Sequence, residues 1–222
     1  MALHLKRDLD AIQRELFRLA LDVEEAIQHA ARCVRERDAA AANLVIAGDS
    51  RIDEEETRLE EDCLKVLALH QPVAIDLRRV VTAIKINSNL ERMADLAEEI
   101  AERAVALASL PPVAIPTKFQ LMTDMVVTMV RQALDAFFRL DAHQARRVAR
   151  LDDEVDRFNR EIIDELLNLM KDPAAVEAGL SLFSATRHLE RIADYATNIV
   201  EDVVYLVEGT IIRHRPEALS TS

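Results

Sequence analysis

Glycine is nearly absent from this chain, with three in 222 residues, and there is no tryptophan; aromatic residues make up only 4%. Sheet proteins need glycine at turns and favour aromatic and β-branched residues, so this scarcity argues against a β fold. Abundant Ala, Leu, Arg and Glu point to helices instead. There are only two cysteines, Cys33 and Cys63, with no close pairing motif. They read as small apolar fillers on helices rather than a disulfide, a metal pair or a nucleophile. No apolar run approaches the ~20 residues needed to span a bilayer, and the N-terminal residues hold no apolar core of signal-peptide length. A cytoplasmic protein with no direct membrane insertion is the expectation. Basic residues are outnumbered, 28 against 40 acidic, for a formal net charge of −12. That excludes a general nucleic-acid binder and direct adhesion to anionic lipid, and it suits cations or basic protein surfaces as partners.

Half of the chain is apolar, enough for one large or two small cores. The six prolines (Pro72, Pro111, Pro112, Pro116, Pro173, Pro216) all fall between long periodic stretches. Proline inside a helix costs ~3 kcal/mol, so they mark boundaries. The periodicity predicts helices over 4–36, 38–69, 73–108, 117–139, 141–171 and 173–208. Asp38 and Asp141 are candidate N-caps, Asp141/Gln144 and Thr117/Gln120 fit capping boxes, Asp172-Pro173 fits a cap followed by proline, and Gly209 suits a helix stop. Leu16, Leu19, Val23, Ala26, Ile27, Ala30 and Val34 form an apolar stripe. It is repeated 103 residues on by Phe119, Met122, Val126, Met129, Val130, Ala133 and Phe137.

The third and sixth helices repeat at an offset of 99. Residues 89–100 read Asn-Leu-Glu-Arg-Met-Ala-Asp-Leu-Ala-Glu-Glu-Ile and residues 188–199 read His-Leu-Glu-Arg-Ile-Ala-Asp-Tyr-Ala-Thr-Asn-Ile, identical at seven of twelve positions. The chain is therefore an internal duplication, with an all-α fold of two tandem three-helix bundles. The first bundle covers residues 1–109, a proline-rich link 110–116, the second bundle 117–209, and a polar tail 210–222. Short loops make successive helices antiparallel.

Each copy holds carboxylates four residues apart, on one helix face. Asp53 and Glu91 both lie 19 residues from Pro72, and Asp49 and Asp95 both lie 23 from it. Asp156 and Glu190 are both 17 from Pro173, and Asp152 and Asp194 both 21 from it. In an antiparallel hairpin, equidistant residues lie side by side, so four carboxylates gather in each half. Two readings stay open on spacing alone. One is a solvated acidic face, partly neutralised by Arg51, Arg92 and Arg191. The other is a cation site at the edge of the core, shallow and open to solvent. All-oxygen ligation suits hard ions such as Mg²⁺, Mn²⁺, Ca²⁺ or Fe³⁺, and no histidine aligns with these positions in both halves. Nothing points to an enzyme: there is no Gly-rich phosphate loop, no Ser or Cys nucleophile with a positioned His, and no Glu-x-x-His pair of the di-iron bundle type. A plain oligomerisation module without metal is the remaining alternative.

The stretch Leu69–Arg79 with the following Leu-Glu-Arg-Met-Ala-Asp, and the closing Leu189–Asp194 through Gly209, resemble the PhoU family over nearly the whole chain. The resemblance implies two similar three-helix bundles. It implies a cytoplasmic negative regulator of phosphate uptake and phosphate-starvation signalling, often a homodimer, linking a phosphate transporter ATPase to a sensor histidine kinase. It also implies metal clusters on E(D)xxxD motifs, matched here by Asp49, Asp53, Glu91, Asp95, Asp152, Asp156, Glu190 and Asp194. The cofactors expected on that basis are divalent or trivalent metal ions (Fe, Mn, Mg or Zn). Arg78, in the matching Asp-Leu-Arg segment, is expected to make an ion pair or a partner contact. The sequence departs from the family pattern at Ala94, Leu96 and Glu99, and at Ala193 and Tyr195, while every ligand carboxylate is retained.

Overall fold

The computed structural model describes residues 2–210, which form helices with no strand among them. The helices are α1 (Ala2–Glu36), α2 (Ala39–His70), α3 (Ala74–Ser109), α4 (Thr117–Arg139), α5 (Ala142–Ala149), α6 (Asp152–Leu169) and α7 (Val176–Glu208). A 3-10 turn, Pro173–Ala175, opens α7. All but residue 210 of the expected polar tail lies outside the described residues.

Six helical rods are present, and the fifth is broken. Arg150 and Leu151 separate α5 from α6, where one helix was expected over 141–171. Asp152, Asp153 and Glu154 then occupy the first turn of α6, where the helix dipole favours negative charge. Asp38 accepts from the Ala41 N–H and Asp141 from the Gln144 N–H, as the capping pattern implies. The Gln144 amide, however, donates to the Gln132 carbonyl instead of closing a capping box. Thr117 is not a cap: Pro116 holds that position, and Gln120 is spent on Asp124. Asp172 accepts from Ala174, and Gly209 ends α7 at φ 73°. Such a positive φ is the conformation that favours glycine.

Both apolar stripes are buried, with only Ala26 partly open. Cys33 and Cys63 are buried as well. Burial raises the Cys33 thiol and pushes Cys63 to about 12, so both are inert packing.

Two antiparallel helix pairs, each drawing one member from either repeat, join the bundles. Along α3 and α7, Arg78 lies against Gly209, Lys85 pairs with Asp202, and Glu99 lies beside His188. In each pair the residue numbers add to 287, so the register holds along the whole joint. Along α1 and α4, Phe17 meets Phe138 edge-on at 5.4 Å and Arg131 grips Glu24; these numbers add to 155. Together with the repeat offsets, these registers place Ala94 opposite Ala193 and Ala26 opposite Met129. They mark one pseudo-two-fold axis relating the repeats.

The α1–α2 turn also locks onto α3. Arg37, at φ 56°, donates to the carbonyls of Leu107 and Leu110 at the end of α3. It thereby adds a second donor to the Leu107 carbonyl, which also accepts the Leu110 N–H, and ties down the Leu110 carbonyl just past the helix end. Arg37→Ala is expected to destabilise the fold by about 2 kcal/mol, since a partly buried charged donor to two carbonyls is lost. Chemical denaturation of the variant measures this, and a change below ~0.5 kcal/mol would show the contact to be idle.

Candidate metal centre

The α2–α3 hairpin turns at Gln71 and Pro72, and its register lies within one residue of the symmetric one. The Asn87 amide donates to the Glu56 carbonyl at 2.8 Å and to its carboxylate at 3.0 Å. From that anchor, successive turns bring Asp53, Asp49, Glu91 and Asp95 onto one seam. One carboxylate oxygen each from Asp49, Asp53 and Asp95 lies within 4.8 Å of the others. That separation suits oxygens placed around a single hard cation at 2.0–2.6 Å. Asp49 is half-buried, whereas Asp53 and Asp95 are exposed, so the site is shallow and open.

The electrostatics agree with crowding. Burial, then Asp53, Glu98, Asp95 and Glu91, push the Asp49 carboxyl up to about 6. Burial and Asp53 raise Asp95, while Arg92 partly offsets this. Burial and Asp95 raise Glu91. Glu98 is a fifth member; its carboxyl too is raised, by burial first and then by Glu102, Asp95 and Asp53. The spacing from Pro72 did not single it out. Its place one turn beyond Asp95, on the same polar stripe of α3, was the available signal.

Arg51 does not neutralise this cluster as expected. Two residues along a helix is about 200° of rotation, so it points away from Asp49 and Asp53. It binds Asp22 of α1 at 2.9 Å and Glu55 at 3.1 Å. A groove of about 350 Å³ leads from Asp49 and Glu98 across Gly48 to His29 and Arg32 of α1.

In the second repeat Asp152, Asp156, Glu190 and Asp194 again influence one another. Burial, then Asp194, Asp156, Asp153 and Glu190, push Asp152 up to about 6. Burial followed by Asp194 raises Glu190, and burial followed by Asp156 raises Asp194. Yet no trio there has the 4.8 Å spacing among the described residues. Glu190 is drawn to Arg187 at 3.1 Å and Asp156 to Arg160 at 3.7 Å. The repeat offsets give a further reason: Thr197 stands where the first half has Glu98, and Asn159 where it has Glu56. The second cluster thus lacks those two carboxylates, while Asp153, where the first half has Ser50, adds one beside Asp152.

His188 sits away from the carboxylates, in the α3–α7 joint, 3.0 Å from Glu99 and 2.9 Å from Ser184. Arg78 packs its guanidinium against the C-terminal end of α7, so close that a Cβ on Gly209 would lie 2.6 Å from it. A cation there complements the helix dipole.

Known proteins carry the same architecture. The family model for the PhoU domain matches twice, over residues 7–104 and 119–203. A PhoU homologue of the phosphate-specific transport system accessory proteins from Aquifex aeolicus is 36% identical over 212 residues, covering 95% of this chain and 96% of that protein. One from Pseudomonas putida is 37% identical, covering 93% of this chain and 82% of that one. The crystal structure of PhoU from Pseudomonas aeruginosa superposes with a TM-score of 0.87 at 36% identity, covering 92% of this chain and 99% of that one. The phosphate transport system regulatory protein PhoU from Streptococcus pneumoniae gives the same TM-score at 29% identity, covering 93% and 98%. A doubled domain match, two bundles about one pseudo-two-fold axis and relatives aligned nearly end to end make this chain a member of the PhoU family.

Proposed function

We propose that this protein is a regulator of phosphate uptake, acting by contact with a phosphate transport system and not by catalysis. The observation that carries this is the near end-to-end match to accessory and regulatory proteins of that system. No helix among the described residues is long and apolar enough to cross a membrane, so contact with a transporter would run through its water-exposed parts. In this reading the protein works in the cytoplasm as a homodimer. It holds the transporter ATPase and a sensor histidine kinase in their restrained states when phosphate is plentiful.

Metal belongs to the same proposal. Asp49, Asp53 and Asp95, backed by Glu91 and Glu98, supply the oxygen-only set that a hard cation favours. The cation would neutralise the seam and lend the acidic face a docking point. Asp152, Asp156, Glu190 and Asp194 form a weaker second site. A metal-binding scaffold unconnected with phosphate is the second reading, favoured only if the clusters load and the transport partners do not bind.

Co-purification tests the regulatory reading. The tagged protein is expected to retain the transporter ATPase and the sensor kinase from phosphate-replete cells, and less of both after starvation. A deletion strain is expected to express alkaline phosphatase constitutively. Absence of both partners, together with unaltered phosphatase expression, would sink the proposal.

A further inference from the structure

The α1–α4 face carries two cavities that the pseudo-two-fold axis exchanges, and their chemistry has diverged. One, of about 340 Å³, is walled by Phe17, Leu21, Leu134 and Phe138. The other, of about 400 Å³, is walled by Arg32, Arg35, Arg131, His29, Gln120 and Asp124. The repeat offset of 103 aligns Phe17 with Gln120, Leu21 with Asp124, Arg35 with Phe138 and Arg32 with Asp135. An apolar groove in one half is therefore a cationic, hydrogen-bonding cavity in the other.

The cationic character runs against the whole protein, in which acidic residues outnumber basic ones by 40 to 28. Among the lining residues three arginines and a histidine stand with one carboxylate, Asp124, which already accepts the Gln120 amide at 2.6 Å, while His29 also lies 3.7 Å from Glu25 outside the cavity wall. Arg131 is held by Glu24 across the helix pair. Arg32 and Arg35 have no ion pair or hydrogen bond among the described residues. Unpaired arginines occur elsewhere on the surface, Arg14 and Arg139 among them, but those two border none of the cavities described. Arg32 and Arg35 stand three apart on one helix face, where like charges repel and a shared anion relieves them. Two arginines lining one cavity suit a tetrahedral oxyanion, which can accept bidentate bonds from guanidinium groups.

We propose that this α1–α4 cavity is an oxyanion pocket that takes a phosphate group on Arg32 and Arg35, with Arg131 and His29 at its rim. The pocket does not rest on the transporter reading: either can fail while the other stands. Its ligand is free orthophosphate or a phosphoryl group on a larger molecule, and the two are separable. Calorimetric titration of the full chain is run in chelator, so that no anion is held through metal. Orthophosphate and pyrophosphate are the probes. Saturable binding is expected, weakening as salt rises. The Arg32→Gln/Arg35→Gln double variant is expected to bind at least ~tenfold more weakly, because two charge-assisted contacts are lost. An Arg14→Gln/Arg139→Gln double variant removes the same charge away from the cavity and is expected to stay within ~twofold of the parent by screening. Both pairs lie on exposed helix surface, and equal helicity by circular dichroism confirms intact folds. Binding of orthophosphate assigns the free ion, and binding of pyrophosphate alone assigns a phosphoryl group on a larger molecule. Failure of both anions to saturate, or equal losses in the two double variants, overturns the pocket.

Discussion

In chelator the protein is expected to be less stable at pH 7.5 than at pH 5.5, and, if the proposed site loads, added Mn²⁺ or Mg²⁺ is expected to reverse this. Asp49 and Asp152 are both pushed up to about 6 in the fold, against 3.8 for an ordinary Asp. The folded state therefore binds more protons than the unfolded state between those values. Stability falls as pH rises through that window, the opposite of a salt-bridged aspartate. A fully buried group shifted this far would account for ~3 kcal/mol. Both residues are only half-buried, and solvent screening reduces this to about 1 kcal/mol each. Most of that loss falls below pH 5.5 and only about a quarter between pH 5.5 and 7.5, so two such groups lower the melting temperature by ~1–2 °C over that interval in a chain of this size. A cation at a hundredfold excess over its Kd returns about 2.7 kcal/mol, or ~8 °C, at pH 7.5 and far less at pH 5, where protons compete.

His188 acts in the other direction. Burial holds its pKa below the usual histidine range, so its contribution is lost as pH falls through that range. An Asp49→Asn/Asp152→Asn variant separates the two effects, since it leaves the His188–Glu99 contact in place. In chelator at pH 7.5 this variant is expected to melt a few degrees above the parent while losing most of its response to metal. An unchanged melting temperature in both respects, with no metal by elemental analysis, would mean that the acidic seam is merely solvated.

Lys85→Met is expected to destabilise the protein by about 3 kcal/mol, through the joint between the repeats rather than through either bundle. The Lys85 ammonium lies 2.8 Å from the Asp202 carboxylate and 5.6 Å from the centre of the Tyr205 ring. The Asp202 side chain is only 5% exposed, that of Lys85 39%. Breaking a buried pair by removing one partner costs 3–5 kcal/mol, because the other charge loses its close counter-charge in poor solvent. The exposure of Lys85 favours the low end. Adding Asp202→Leu to Lys85→Met removes the buried charge and is expected to recover part of the loss, the signature of a coupled pair. Urea denaturation of the parent, both singles and the double closes the cycle. Additive losses would show that the pair is not coupled.

The α2–α3 seam was legible because it needs only local rules. Pro72 fixes the turn, the helical rise fixes the height, and Asn87 on Glu56 shows the hairpin within one residue of that register. The stripes of α1 and α4, the caps at Asp38 and Asp141 and the stop at Gly209 were legible for the same reason. Each depends on residues within a few positions of one another. The break at Arg150–Leu151 was missed because the apolar period runs on through it. Arg51 was misjudged because adjacency in sequence was read as adjacency in space, whereas a helix turns it to the other side.

The sequence by itself determined the helical rods, the duplication, the family and the pairing of carboxylates within each hairpin, because periodicity and turn position act over short distances. Tertiary structure decided how the sequence differences between the two halves are expressed in space. It placed Asp49, Asp53 and Asp95 within one cation's reach but let Arg187 and Arg160 draw the second set apart. It set Lys85 on Asp202 across more than a hundred residues, and it opened opposite chemistries on the two sides of the α1–α4 pair. Those outcomes depend on the contacts that rods remote in sequence make when they pack, and no local pattern carries that register.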